Sequence, residues 1–348
     1  MSNSPFSHDR LITVIGLFAL AYAGFGSIAF ASPQTGTPSS APGVAPYLTA
    51  CNGLHADTPA GTPATPCGQA ASAANFASDV TYTYQTFDYP NASKTILWGI
   101  NDFNELSGQY TVGNGTPHAM VYRHGRFEPL EPDTLGTYFS AGGGPNDFGT
   151  TYGAYADASG LQHGFLIQGG HFSTIDFPGH LNSNVDQVNL SGTMAGVFWD
   201  ADGAFHGVLR QGHDHDTPID VAGARETYPL GINDRDEIVG YWDTDPNQTH
   251  GFYRNADGQF AMIDVPSASA TAAFEINDEG QIVGYYIDAA GDIHGFIQVR
   301  GKFQYLNVPG AAATVATAIN NLGVIAGEYF DDAGGRHGFV ATPHEKTH

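Results

Sequence analysis

An asparagine recurs six times at nearly even spacing, and that period constrains the fold more than any other feature of the chain. Asn101, Asn146, Asn189, Asn233, Asn277 and Asn320 are separated by 45, 43, 44, 44 and 43 residues. A glycine follows each asparagine by 7 residues, as Gly108, Gly153, Gly196, Gly240, Gly284 and Gly327, and a histidine by 17, as His118, His163, His206, His250, His294 and His337. Self-similarity at a period of about 44 residues marks a repeat architecture in which each copy is one supersecondary unit.

Within a copy, alternating apolar and polar residues bounded by Gly, Asn and Asp predict four short strands and no helix. Three residues after each asparagine stands Asn104, Gly149, Gly192, Asp236, Gly280 or Gly323. These types tolerate left-handed backbone, so the first turn is expected to be a type I turn closed by a left-handed residue, with the asparagine side chain bonding its own backbone two residues on. If the second hairpin turns near 289–292, Gly284 falls opposite Phe296, a bare backbone beside a large ring.

Four strands per period fit a six-bladed β-propeller, with an open β-solenoid as the competing arrangement. The last copy ends after His337-Gly338-Phe339-Val340 without the fourth strand that other copies carry as Phe172 to Asp176 or Phe260 to Asp264. Val80 to Asp88 precedes Asn101 by the spacing that Asp176, Asp220 and Asp264 keep before their own asparagines, so this N-terminal strand is expected to complete the last blade and close the ring. Closure removes sheet edges that would otherwise template aggregation.

The His-Gly-Phe triplets, His118-Ala119-Met120, and the Ile-Asn-Asp and Val-Gly-Tyr elements resemble the bacterial HAF-type extracellular repeat over most of residues 79–340. Copies two and three depart from it at Pro145-Asn146-Asp147 and Val188-Asn189-Leu190. The resemblance implies export and repetition and brings no assigned activity.

Outside the repeats, Arg10, the apolar run Leu11 to Phe30 and Ala29-Phe30-Ala31 before Ser32-Pro33 read as a signal peptide over 1–31, with an uncleaved anchor as the alternative. Residues 32–78 read as a low-complexity linker poor in large apolar side chains, within which Cys51 and Cys67, the only cysteines, are expected to pair after export. The propeller is assigned to 79–343 and a disordered tail to 344–348. Secreted or periplasmic localisation follows, with no membrane attachment after cleavage.

A formal charge of −23 with only 12 Lys and Arg disfavours nucleic acid and anionic lipid as partners. Divalent cations, neutral glycans and basic proteins stay open. Six equivalent histidines, one per copy, are expected to brace the repeats by hydrogen bonds, because a shared zinc needs its ligands within about 2.1 Å. His344-Glu345-Lys346-Thr347-His348 matches a zinc-protease pattern but has no downstream third ligand. His213-Asp214-His215-Asp216 in an exposed turn is a weak metal candidate, and the acidic turns Asp200-Ala201-Asp202-Gly203 and Asp331-Asp332 are weak calcium candidates without the spacing of a helix-loop-helix site. No nucleophile elbow or phosphate-cradling loop occurs in the mature chain, and no cofactor is required.

With a regular repeat and no unique catalytic cluster, the leading expectation is a non-enzymatic exported propeller presenting loop faces to a glycan or protein. The alternatives are a polysaccharide lyase or hydrolase at the channel mouth, and a surface or matrix structural protein.

Overall fold

In each repeat the residue pattern alternates between apolar runs and tight polar turns, and the chain answers with a meander of antiparallel strands. A computed structural model describes residues 80–130, 138–141, 143–177, 182–200, 203–212, 215–245 and 248–345, and among them every regular element is a strand. The segments expected to be a signal peptide and a linker, with Cys51 and Cys67, lie outside the described residues.

The fifth repeat shows the plan. Ala270–Ile276, Ile282–Ile287, Ile293–Val299 and Lys302–Leu306 pair in that order into one antiparallel four-stranded sheet. Repeats two, three and four each form a separate four-stranded sheet of the same order. The first strand of the fifth repeat is buried along its whole length, whereas the fourth is mostly half-exposed. The first strands of repeats five and six, both buried throughout, accordingly read as near-continuous apolar runs.

The turns form as the residue types dictate. Asn104, Asp236, Gly149, Gly192, Gly280 and Gly323 all take positive φ, between 57° and 84°. Asn277 Oδ1 accepts from the amides of Glu279 and Gln281, at 3.1 and 2.9 Å, and Asn101, Asn146, Asn233 and Asn320 repeat this pair of bonds.

The strand-two glycines sit where their register demands. Gly284 pairs with Phe296, Gly240 with Phe252, Gly327 with Phe339, Gly153 with Phe165 and Gly108 with Met120. A Cβ on Gly284 would overlap the carbonyl oxygen of Ala272, so only a bare backbone lets the first and second strands close up. The opposing side chains are fully buried, and each contributes about 1.5 to 3 kcal/mol of apolar burial.

Repeats one and six share one eight-stranded sheet. Val80–Thr86 pairs antiparallel with Arg336–Glu345, from Val80 opposite Glu345 to Thr86 opposite Phe339, and a single parallel pair, Lys94 with Arg336, links that strand to the first repeat. Two boundaries shift from the sequence reading. The N-terminal strand ends at Thr86, leaving Asp88 to bond a histidine, and His344 and Glu345 extend the last strand, because Thr81 and Val80 supply a pairing edge that sequence alone does not reveal.

Core side chains pack between successive repeats. Val283, Ile297 and Leu306 of repeat five meet Ala316, Ile325 and Phe339 of repeat six, and Ala318, Val324 and Ala326 of repeat six meet Leu97, Leu106 and Met120 of repeat one.

Candidate functional site

The repeated asparagines do more than close their own turns. Asn189 Nδ2 donates to the carbonyl of Asn233, Asn233 to Asn277, Asn277 to Asn320 and Asn320 to Asn101, at 2.9 to 3.2 Å, and Asn101 reaches Asn146 at 3.5 Å. The next residue adds a second set of links. The amide of Asp102 donates to Asp147 Oδ1, Leu190 to Asp234, Asp234 to Asp278, Asp278 to Asn321 Oδ1, and Asn321 to Asp102, at 2.7 to 2.9 Å. The chain of links is interrupted at Leu190, whose side chain has no acceptor to offer the turn of repeat two.

These turns surround a cavity of about 80 Å³ whose lining carries Asp102, Asp147, Asp234, Asp278 and Glu275 and no basic side chain. Burial raises Asp147 and Asp234 above the ordinary carboxylate range, and the neighbouring charges of Asp102 and Asp278 add to it.

Glu275 lies in the cavity wall and was not singled out by sequence reasoning. Its Oε1 accepts from Gln187 Nε2 at 2.8 Å and its Oε2 from the amide of Ile319 at 2.9 Å. Burial pushes this carboxyl up to about 8, with the two hydrogen bonds opposing. Tyr152 is buried beside it, its phenol raised well above the usual range by burial first and then by the charge of Glu275. A Cβ on Gly143 would overlap Gln187 Oε1 and come within 2.7 Å of the Tyr152 hydroxyl, so the chain of repeat two closes tightly over this group. A signal existed in the repeat itself. Two residues before each asparagine stand Gly99, Gly144, Gln187, Gly231, Glu275 and Ala318, and only two of the six are polar. A bulge in the first strand falls beside this position in five repeats, and bulges re-aim side chains.

A second concavity, a cleft of about 900 Å³, opens on the first repeat and is lined by Phe87, Tyr89, Tyr122 and Phe127, with Asn91 and Arg126 also in its wall. The rings brace one another. Phe87 meets Tyr122 edge-on at 4.6 Å, Tyr122 and Tyr89 each lie 5.0 Å from Phe127, and Tyr89 stacks on Tyr110 at 3.6 Å. Where Tyr122 stands, repeats three and four carry Arg210 and Arg254.

The histidines named from sequence stand apart, one in each repeat. Nδ1 of His163, His206, His250 and His337 lies 2.8 to 2.9 Å from Asp176, Asp220, Asp264 and Asp88, and Nδ1 of His294 lies 3.0 Å from Asn307. Nε2 of His163, His206, His294 and His337 faces Asp157, Asp200, Asp288 and Asp331 at 3.4 Å. Each ring also packs on an aromatic one strand away, as His118 does on Tyr110. Burial alone would lower His163, His206 and His337, and the carboxylates on both ring nitrogens more than offset it, so all three are raised.

The weak metal candidates are dispersed. His213 and Asp214 lie outside the described residues, and so does Asp202. Asp216 is held by Arg210 through two bonds of 2.6 and 2.8 Å, which occupies the carboxylate that an ion would need. Asp200 and Asp331 serve their own turns and the facing histidines. Among the described residues, no three His, Cys, Asp or Glu side chains stand close enough to hold one metal ion, and no helix is long and apolar enough to cross a membrane.

No known protein family matches the chain, and no curated protein matches it by sequence. Solved structures are similar to it at low identity. A triple arginine-to-alanine mutant of AofleA from Arthrobotrys oligospora is 12% identical, with 77% of this chain and 90% of that chain covered and a TM-score of 0.47. A putative TolB from Agrobacterium tumefaciens is 12% identical over 64% and 85%, with a TM-score of 0.43. A mutant Aleuria aurantia lectin in complex with Fucalpha1-6GlcNAc is 11% identical over 62% and 77%, with a TM-score of 0.41.

Proposed function

We propose that the six repeats are the blades of a closed six-bladed β-propeller, and that this propeller is an exported, non-enzymatic binding protein whose ligand is a glycan. Support for closure comes from the last repeat. Asn320 Nδ2 donates to Asn101 O at 2.9 Å, the N-terminal strand pairs with Arg336–Glu345, and apolar side chains of repeats six and one share a core cluster. An open solenoid would leave those groups of the first and last repeats far apart.

The observation that carries the binding reading is the aromatic cleft of repeat one. Four half-buried rings, fixed by mutual packing, offer flat apolar faces beside the amide of Asn91 and the guanidinium of Arg126. Ring faces of that kind cover the apolar face of a sugar, and polar groups set around them orient its hydroxyls. The repeated asparagines and histidines are committed to bonds within and between repeats, so recognition falls to the residues that break the repeat.

A glycan array probed with the full chain tests this reading. Binding to a defined set of glycans, reduced at least about tenfold by Tyr89→Ala or Arg126→Ala with the fold retained, is the expected result. Failure to bind any glycan, together with turnover of a polysaccharide, would overturn it.

One observation favours the enzymatic alternative, a lyase or hydrolase at the channel mouth. Glu275 is a buried carboxyl shifted toward neutrality in a cavity wall, the environment in which general acids are found. Polysaccharide turnover abolished by Glu275→Gln would establish it, and absence of turnover across uronic and neutral polymers would remove it.

A further inference from the structure

Six large apolar side chains stand exposed among the described residues, and the three most exposed share one position in the repeat. Phe103 is 72% exposed, Phe148 69% and Leu322 60%, and each follows its asparagine by two residues. The other repeats place Ser191, Arg235 and Glu279 there. Scattered exposed apolar residues need no explanation, whereas a contiguous set marks a contact surface.

Hydrogen bonds tie the three turns that carry this set to one another. The turn of Leu322 is tied to that of Phe103 by the amide of Asn321 on Asp102 Oδ1 at 2.7 Å, and the turn of Phe103 to that of Phe148 by the amide of Asp102 on Asp147 Oδ1 at 2.9 Å. Three neighbouring turns thus present an apolar arc along half of the cavity rim. A fold that used these positions only to close turns would gain nothing from phenylalanine, since serine serves at the equivalent place in repeat three.

Charge identifies the occupant. Beside the arc lie the carboxylates of Asp102, Asp147, Asp234 and Asp278, and Glu105 and Glu279 belong to the same set of turns. Arg235 is the one cation among these turns, and Glu237 neutralises it at 2.6 Å. We propose that the arc of Phe103, Phe148 and Leu322 docks a segment of a basic protein partner in which Lys or Arg alternates with apolar residues. The apolar side chains of that segment would cover the rings and its cations would face the acidic mouth. Burial and mutual repulsion raise Asp147 and Asp234, so a cation brought there relieves a cost that the free protein carries. A second copy of this chain fits poorly, because at a net charge of −23 it would bring carboxylates against carboxylates. This surface excludes the aromatic cleft of repeat one, so either reading can fail without the other.

A synthetic peptide alternating Lys and Leu, labelled for fluorescence anisotropy and titrated with the full chain, tests the proposal. Two control peptides replace Lys by Glu, or Leu by Ser. The Lys-Leu peptide should bind at least about tenfold tighter than either control. Phe103→Ser with Phe148→Ser should remove that preference, while Met262→Ser, at an exposed apolar residue of a fourth strand off the arc, should leave it unchanged. Asp147→Asn with Asp234→Asn should weaken binding and flatten its salt dependence. Equal binding of the Lys-Leu and Lys-Ser peptides, or equal loss in the Met262 control, would overturn the proposal by showing diffuse attraction to an acidic protein. Concentration-dependent dimerisation abolished by Phe103→Ser would overturn it by naming a second copy as the occupant.

Discussion

Gln187 and Glu275 lie 88 residues apart, in the third and fifth repeats, and their side chains are joined by a 2.8 Å hydrogen bond from Nε2 to Oε1. The repeat between them supplies Gly231 at the equivalent position, where a Cβ would come within 2.7 Å of the Glu275 Cα. A bare backbone at Gly231 lets repeat four pack directly against the strand that carries Glu275.

Glu275 should set a pH limit on stability. Its carboxyl is raised from an ordinary value of 4.5 to about 8, so the folded protein holds the proton more tightly than the unfolded chain. By linkage this group favours the folded state least once pH passes about 8, where a charge must be buried. Glu275→Gln should raise Tm relative to the parent above about pH 8 and change it little near pH 5. A Gln variant less stable at both ends would show that the ionised form is the one the fold prefers.

The histidine clamps titrate over a neighbouring window. His163, His206 and His337 are raised above 6.5, so their contribution is complete below that value and is lost as pH climbs through the folded value. In a Glu275→Gln background, which removes the overlapping carboxyl, Tm should still fall as pH rises from about 6 to 8. Replacing the three histidines by glutamine should flatten that slope, and a slope that survives would assign it to other groups.

Asn277 carries two separable tasks. Asn277→Ala loses the turn bonds to the amides of Glu279 and Gln281 together with the link to Asn320 O, and should cost about 2 to 4 kcal/mol in urea unfolding. Asn277→Asp keeps the acceptor for the turn but puts an oxygen where Nδ2 donates to Asn320 O and Gln281 Oε1, so at this buried site it should cost no less than alanine. A loss much smaller than that of alanine would place most of the energy in the bonds to the Glu279 and Gln281 amides.

Gly284→Ala tests the strand-two glycine. The added methyl meets backbone, the carbonyl of Ala272, which has no rotamer to yield, and the expected loss is about 3 kcal/mol or failure to fold. Gly291→Ala, at φ +90° with open space around it, should cost only about 1 kcal/mol of backbone strain.

Much of the fold was legible in the chain because each repeat solves a local problem with its own residues. The left-handed residue at Asn104 or Gly280, the asparagine that closes its own turn, and the pairing of Gly284 with Phe296 depend on neighbours within one meander. The surplus N-terminal strand was legible by the same count, through the spacing from Asp88 to Asn101, although its partner edge runs two residues further, to Glu345.

The site followed a different rule. Glu275, Gln187 and Tyr152 look like ordinary strand residues in sequence, and Asp216, a weak metal candidate there, bonds Arg210 across the hairpin. The sequence by itself determined the period, the strands, the turns and the residues that build each unit, because those are set by local backbone chemistry repeated six times. The tertiary structure alone decided which departures from the period meet. Curving the repeats side by side brings Gln187 to Glu275 and lines up Leu322, Phe103 and Phe148, through contacts between residues whose separation in the chain carries no local signal.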